Sequence, residues 1–167
     1  MILYPKESLM DSRQLGRTNL QVSAIALGTM TWGEQNTQDE AFAQIDYAKN
    51  AGINFIDTAE MYPVPPKAET YASTERYIGN WFKSRGDRAD WILASKIAGP
   101  GNTIDYIRDG HLRHNRKHIA AALDASLKRL QTEWIDLYQL HWPERSTNFF
   151  GQLSYKHKDE DDLTPLE

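Results

Sequence analysis

The chain has no cysteine among its 167 residues. Disulfide scaffolds, cysteine-ligated zinc sites and thiol catalysis are therefore excluded. No stretch approaches the 18 apolar residues of a membrane span, and residues 1–14 lack the apolar core of a signal peptide. Neither sign of charge predominates, because 19 Lys and Arg against 23 Asp and Glu give a net charge of −4. These absences argue against nucleic-acid and membrane partners and predict a cytoplasmic protein.

Apolar residues are frequent enough for a packed core. The hydrophobic content is 40%, and we expect one domain spanning residues 1–167. Four short apolar runs, each bounded by turn-forming or polar residues, predict buried strands. The runs are 22–27, which ends at Gly28; 54–56, which ends at Asp57; 91–95, which ends at Lys96; and 135–140, which ends at His141.

Segments with helical spacing of apolar residues separate these runs. Thr37 and Glu40 predict a capping box at the start of the first helix, and Gly52 is placed to end it. Two further helices are predicted to start near Ser73 and near Asn115. The stripe predicted to face the core in the third helix consists of Ile119, Leu123, Leu127 and Leu130.

The alternation of strands and helices predicts a parallel sheet with helical crossovers. Eight units of the observed spacing need roughly 300 residues, which is the size of a (β/α)8 TIM barrel. We therefore expect an α/β half barrel: an N-terminal hairpin formed by 13–16 and 20–23, then the first four β/α units. Residues 164–167 have the N-cap threonine and following proline of a starting helix, so truncation at the fourth helix is expected. A flavodoxin-like sheet is the alternative, although no G-x-G-x-x-G motif follows the first strand.

Three predicted strands end in ionisable residues: Asp57, Lys96 and His141. Because the carboxyl ends of parallel strands meet at one edge, these side chains are expected to converge, with Tyr62 in the loop above them. Each residue alone is more often a cap, an ion-pair partner or a packing residue. Together they predict a proton-transfer site, in which the lysine lowers the phenol's pKa from about 10 and the carboxylate holds the lysine. The imidazole would hydrogen-bond a carbonyl oxygen while a cofactor delivers hydride to the carbon.

Four motifs in this order resemble those of the aldo-keto reductases. They are Gly28–Gly33 (GTMTWG), Asp57–Tyr62 (DTAEMY), Ala94–Lys96 (ASK) and Asp136–Pro143 (DLYQLHWP). The resemblance extends from about Arg13 onward. Three further segments look most similar to the Tas-like bacterial branch of that family, namely 15–20, 60–66 and 148–151.

The resemblance implies an NADP(H)-dependent oxidoreductase that reduces small aldehydes and ketones to alcohols on a (β/α)8 barrel. It implies that Tyr62 is the general acid and that Asp57, Lys96 and His141 assist it. In this family the loops after the seventh and eighth strands hold the cofactor's phosphates, and the chain contains neither loop. The positions that match the family's nicotinamide site are Thr29, Met30, Gln35 and Asp57.

Two other functions stay open at this point: a nicotinamide-binding regulatory or auxiliary subunit, and an inactive truncated fragment of the reductase. Retention of all four catalytic positions favours the enzyme. His111, His114 and His118 have a spacing compatible with a metal site, but their arginine and lysine neighbours would repel a cation, so no metal is expected. The edges of a four-stranded half sheet predict self-association.

Overall fold

The structure is a computed structural model that describes residues 10–101, 104–144, 150 and 154–155. The helix start predicted at 164–167 lies outside the described residues, and so does most of the 148–151 motif. The elements in chain order are β1 (Ser12–Gln14), β2 (Gln21–Ser23), β3 (Leu27–Gly28), α1 (Gln38–Asn50), β4 (Phe55–Asp57), α2 (Ser73–Arg85), β5 (Ile92–Ile97), α3 (Arg116–Leu130) and β6 (Leu137–Leu140).

The strands form two separate sheets. β1 and β2 make an antiparallel hairpin in which Ser12 pairs with Ser23, so the predicted hairpin is confirmed. The main sheet has four strands in the order β3-β4-β5-β6, and every neighbouring pair is parallel. This is the predicted parallel sheet with helical connections.

The two faces of the main sheet differ in burial. Ile56 and Leu93 project to one face, which we call the helix face, and both are fully buried in a core shared with α1, α2 and α3. Side chains alternate along a strand, so Asp57 and Lys96 project to the opposite face, which we call the tetrad face. Apolar side chains of the tetrad face such as Phe55 are only half-buried. The helices therefore cover one face and leave the face that carries the ionisable groups partly open.

The helix ends follow the sequence signals. Thr37 accepts a hydrogen bond from the Glu40 backbone while the Glu40 carboxylate accepts one from the Thr37 backbone, which is the predicted capping box. Gly52 lies just beyond α1 with φ +84°, a conformation that favours glycine. α2 begins at Ser73, and the side chain of Asn115 caps α3. In the described part of the chain, none of the helices combines the length and apolar character needed to cross a bilayer.

The prediction of one strand over 22–27 is wrong. Val22 and Ser23 belong to the hairpin, and only Leu27 and Gly28 pair in the main sheet. The Ser23 hydroxyl donates to the carbonyl of Ile25 at 2.7 Å, so the chain turns between the two sheets.

The predicted core stripe of α3 is also shifted around the helix. Of the four predicted residues, Leu130 is fully buried, together with Ala122 and Ser126. The other three, Ile119, Leu123 and Leu127, are half-buried. Arg129 bonds the Ser126 hydroxyl and the buried carboxylate of Glu75 in α2, so the small, polar side of α3 faces α2.

Candidate active site

The four residues predicted to be catalytic lie together at the carboxyl ends of the strands. Asp57 is the last residue of β4, Lys96 is next to last in β5, and His141 directly follows β6. Tyr62 lies in the turn that leaves β4, and its side chain is 8% exposed. The parallel register places all three strand ends at one edge, as expected for this topology.

Lys96 and Asp57 form an ion pair on the tetrad face. Nζ of Lys96 lies 2.7 Å from Oδ2 of Asp57 and donates to the Thr58 carbonyl at 2.8 Å. The amide of Gln139 approaches the other carboxylate oxygen of Asp57 at 3.5 Å. The lysine side chain is 12% exposed and the aspartate side chain 33%, so the pair is held in place yet reachable from the open face.

Tyr62 contacts both the lysine and the histidine. Nζ of Lys96 lies 5.1 Å from the centroid of the phenol ring, a cation–π distance. The ring of His141 meets the phenol edge to face with 5.5 Å between centroids. Burial raises the pKa of the Tyr62 phenol, and the charge of Asp57 raises it further.

The expectation that the phenol's pKa falls below its usual value is therefore wrong for this structure. The ammonium charge is paired with Asp57, and burial is the larger influence on the phenol. Tyr62 is consequently protonated at neutral pH, which is the state that a proton donor requires.

His141 is neutral in this setting. Burial lowers its pKa to about 4, the nearby Lys96 charge lowers it as well, and Asp57 opposes the shift. A neutral imidazole has one N–H donor and one acceptor nitrogen. His141 is thus suited to hydrogen-bond a substrate oxygen and not to supply a positive charge.

Aromatic side chains adjoin the histidine. The ring of Trp142 lies 5.0 Å from that of His141, and the ring of Phe150 lies 6.1 Å from it. The Trp142 indole donates to the Pro100 carbonyl at 2.9 Å, and a Cβ on Gly99 would lie 2.7 Å from the indole nitrogen. Gly99 therefore has to lack a side chain for the indole to occupy this place.

Of the four positions matched to a nicotinamide site, Asp57 is also a candidate catalytic residue and Thr29 contacts it. The buried hydroxyl of Thr29 donates to the Asp57 carbonyl at 2.8 Å. Met30 is 47% exposed, and a Cβ on Gly28 would meet no atom within 4 Å. An open sheet end lined by a carboxylate and an exposed thioether fits a flat ring with a carboxamide. Gln35 is exposed in the turn before α1, and no hydrogen bond among the described residues joins its side chain to the other three positions.

The structure also reveals a buried carboxylate that sequence reasoning missed. Glu60 is 1% exposed, two residues before Tyr62, and pairs with Arg108 from the loop between β5 and α3. The only sequence signal was an acidic residue inside a turn of otherwise apolar and small residues. The histidines that raised the question of a metal do not assemble: across the described ranges, no group of three or more His, Asp or Glu side chains could hold a metal ion.

Comparison with known proteins identifies the family. The sequence profile described as "Aldo/keto reductase family" matches residues 24–160. Protein tas of Escherichia coli is 51% identical over 150 residues, which cover 90% of this chain and 43% of that protein. The chain belongs to the aldo/keto reductase family, and it spans less than half the length of this curated relative.

Solved structures agree with this assignment. A putative aldo-keto reductase from Pseudomonas aeruginosa aligns with a TM-score of 0.62 and 31% identity, covering 77% of this chain and 46% of the other. The holo form of an aldo-keto reductase from Bacillus halodurans aligns with a TM-score of 0.61 and 35% identity, covering 78% and 40% of the two chains. The described fold is accordingly half of a TIM barrel.

Proposed function

We propose that the full-length protein containing this chain is an NADP(H)-dependent reductase of aldehydes and ketones, and that Tyr62 is its general acid. The observation that carries the proposal is the contact of a buried, protonated phenol with both a lysine–aspartate pair and a neutral histidine. Membership of the aldo/keto reductase family supports the class of reaction.

Proton transfer is the part of the reaction that these residues perform. Tyr62 gives its phenolic proton to the carbonyl oxygen, so an O–H bond forms on the substrate and the phenolate remains on the enzyme. The ammonium of Lys96 stabilises that phenolate, and Asp57 holds the ammonium in position. The neutral imidazole of His141 hydrogen-bonds the same substrate oxygen and orients the carbonyl.

The cofactor would be held on the open end of the sheet. Reduced NADP(H), when bound, supplies the hydride that the carbonyl carbon accepts, since no side chain is a hydride donor. Thr29, Met30, Gln35 and Asp57 are the residues that we propose to line its nicotinamide ring. A cytoplasmic location remains a prediction from the sequence.

The test is an assay of the full-length protein with NADPH and a panel of aldehydes and ketones. We expect stoichiometric conversion of NADPH and carbonyl compound to NADP⁺ and alcohol, with NADPH preferred to NADH. A protein that binds NADPH tightly but forms no alcohol from any carbonyl in the panel would contradict the proposal.

A further inference from the structure

The turn that carries Tyr62 is tied to β5 by its main chain. The Glu60 backbone N–H donates to the Lys96 carbonyl at 3.0 Å, and the Thr58 N–H donates to the Ala94 carbonyl at 2.9 Å. These bonds continue the parallel pairing beyond the last residue of β4. Tyr62 is joined to the same turn, because its N–H donates to the carbonyl of Ala59 at 3.2 Å.

Side chains attach the same turn to the chain a second time, at Ala98, just beyond Lys96. Oε2 of Glu60 accepts from the Ala98 N–H at 2.9 Å, and Arg108 donates to the Ala98 carbonyl at 2.9 Å. Arg108 also donates to Oε1 of Glu60. The backbone N–H and C=O of buried Ala98 and both oxygens of the buried Glu60 carboxylate are therefore satisfied within a closed ring of three residues, which we call the Glu60–Arg108–Ala98 ring.

Because the ring is buried, it fixes the position of the Glu60 side chain. A buried carboxylate is strongly destabilised when it loses its partners, so the Glu60 side chain is held at this place. Arg108 adopts φ +46°, a left-handed conformation unfavourable for residues with a side chain, which its surroundings must stabilise. The ring thus fixes where residue 60 sits relative to residue 98, and Tyr62 and Lys96 lie close to these two points in the chain.

We infer that Glu60 and Arg108 are positioning residues for the reaction, holding the phenol of Tyr62 and the ammonium of Lys96 in register. The inference rests on the proposed function. Glu60 and Arg108 then do more than stabilise the fold. Without the ring, the turn that carries Tyr62 and the end of β5 would shift independently. A misplacement of about 1 Å in an active site is worth about 10²-fold in rate.

The chain offers a matched control for a purely structural role. Glu75 is also fully buried, accepts from the Ser95 hydroxyl at 2.7 Å and pairs with Arg129 at 2.6 Å. Its partners lie in β5 and α3, and none is in the turn that carries Tyr62. Glu60→Gln and Glu75→Gln remove the same charge from equally buried sites, so loss of stability alone affects both.

The experiment compares these two variants in the full-length protein at equal folded fraction. We expect Glu60→Gln to lower kcat at least about tenfold relative to Glu75→Gln, while the Kd for NADPH changes by less than about twofold. Equal kcat values in the two variants would overturn the positioning role.

A second readout does not require activity. Loosening the turn exposes Tyr62 to water, so the raised pKa of its phenol should fall toward about 10 in Glu60→Gln and stay unchanged in Glu75→Gln. Ultraviolet difference titration against the corresponding Tyr62→Phe proteins isolates this one phenol. An unshifted titration in Glu60→Gln overturns the inference even if the protein proves to have no reductase activity, whereas a shifted titration in an inactive protein contradicts only the proposed function.

A further variant covers the case in which Glu60→Gln does not fold. Glu60→Gln combined with Arg108→Met leaves no unpaired buried charge and still lacks the arginine bond to Ala98. We expect the same fall in kcat and in the phenol's pKa for this double variant. Wild-type values for both would overturn the inference.

Discussion

At the scale of single residues, the charge states of the site depend on one another. Lys96 is paired with Asp57. The Asp57 charge raises the pKa of both Tyr62 and His141, and the Lys96 charge lowers that of His141. Burial favours the neutral form of the phenol and of the imidazole. The site therefore holds a protonated acid and a neutral hydrogen-bonding group next to one fixed ion pair.

Replacing Lys96 with Met tests this coupling. The substitution leaves the Asp57 carboxylate unpaired, and that charge raises the pKa of the Tyr62 phenol, so phenolate forms only at higher pH. Under the proposed function the reverse reaction, alcohol oxidation, uses the phenolate as its base, so we expect the ascending limb of its pH–rate profile to move to higher pH. The measurement is that profile for the full-length variant beside the wild type.

The imidazole provides an internal control for the same variant. Lys96 contributes to lowering the pKa of His141, so its removal should raise that value above about 4, although burial keeps it below its ordinary 6.5. Nuclear magnetic resonance of the imidazole follows this titration directly. If both the profile and the histidine titration are unchanged, Lys96 has only a structural role.

Much of this site was predictable from the sequence. Asp57, Lys96 and His141 each end an apolar run, and a parallel sheet must bring such ends together. Glu60 could not be predicted, because its partner Arg108 is 48 residues away and burial is decided by packing. The direction of the Tyr62 pKa shift was wrong for the same reason: desolvation of the phenol is not visible in a list of neighbouring charges.

At the scale of elements, α2 and α3 approach each other closely at one glycine. A Cβ on Gly79 would lie 2.2 Å from the carbonyl oxygen of Arg129 and 2.9 Å from Cα of Leu130. Both are backbone atoms, so neither moves without shifting α3. The contact explains why a residue with poor helix propensity lies in the interior of α2.

Gly79→Ala is therefore expected to destabilise the protein. Alanine gains about 1 kcal/mol in helix propensity, but overpacking against a backbone costs roughly 1–3 kcal/mol or more. Because the clash is with backbone atoms, the cost lies at the upper end of that range, and we expect a net loss of about 2 kcal/mol in the free energy of unfolding, measured by urea denaturation of the full-length protein. Lys83→Ala, at an exposed position of the same helix, should change it by less than about 0.5 kcal/mol; an equal effect of both variants would contradict this packing.

Helices and strands were predicted correctly where the signals that define them are local in the sequence. Local signals placed α1 correctly, since the capping box of Thr37 and Glu40 needs only neighbouring residues. The single strand predicted over 22–27 was wrong, because the apolar residues of this run continue through the turn that the Ser23 hydroxyl stabilises. The face of α3 that is buried against α2 could not be predicted either, because Arg129 pairs there with Glu75, which is distant in the sequence.

At the scale of the whole molecule, the helices of the described residues pack on one face of the sheet. β3 and β6 are its outer strands, each paired on one side among the described residues. On the tetrad face Phe55, Ile92 and Leu137 are half-buried. On the helix face Ile56, Leu93 and Ile97 are fully buried, whereas Leu140 of the outer strand β6 is 42% exposed. In the related aldo-keto reductases, more than half of each aligned chain lies beyond this match.

We propose that the isolated 167-residue chain self-associates or is molten in solution. Unpaired strand edges and an uncovered apolar face both favour association. Such a chain should bind NADPH no better than about millimolar, because phosphate-anchoring loops of barrels follow the seventh and eighth strands. A compact monomer by sedimentation, together with micromolar NADPH binding by calorimetry, would contradict this proposal.

The central claim, that Tyr62 donates the proton in carbonyl reduction, is tested most directly by Tyr62→Phe in the full-length protein. The substitution removes one hydroxyl and keeps the buried ring between Lys96 and His141. Relative to the wild type, the variant should have a kcat for a test aldehyde that is lower by about 10²-fold or more. Its NADPH binding, measured by fluorescence titration, should be unchanged. Turnover close to that of the wild type would contradict the account.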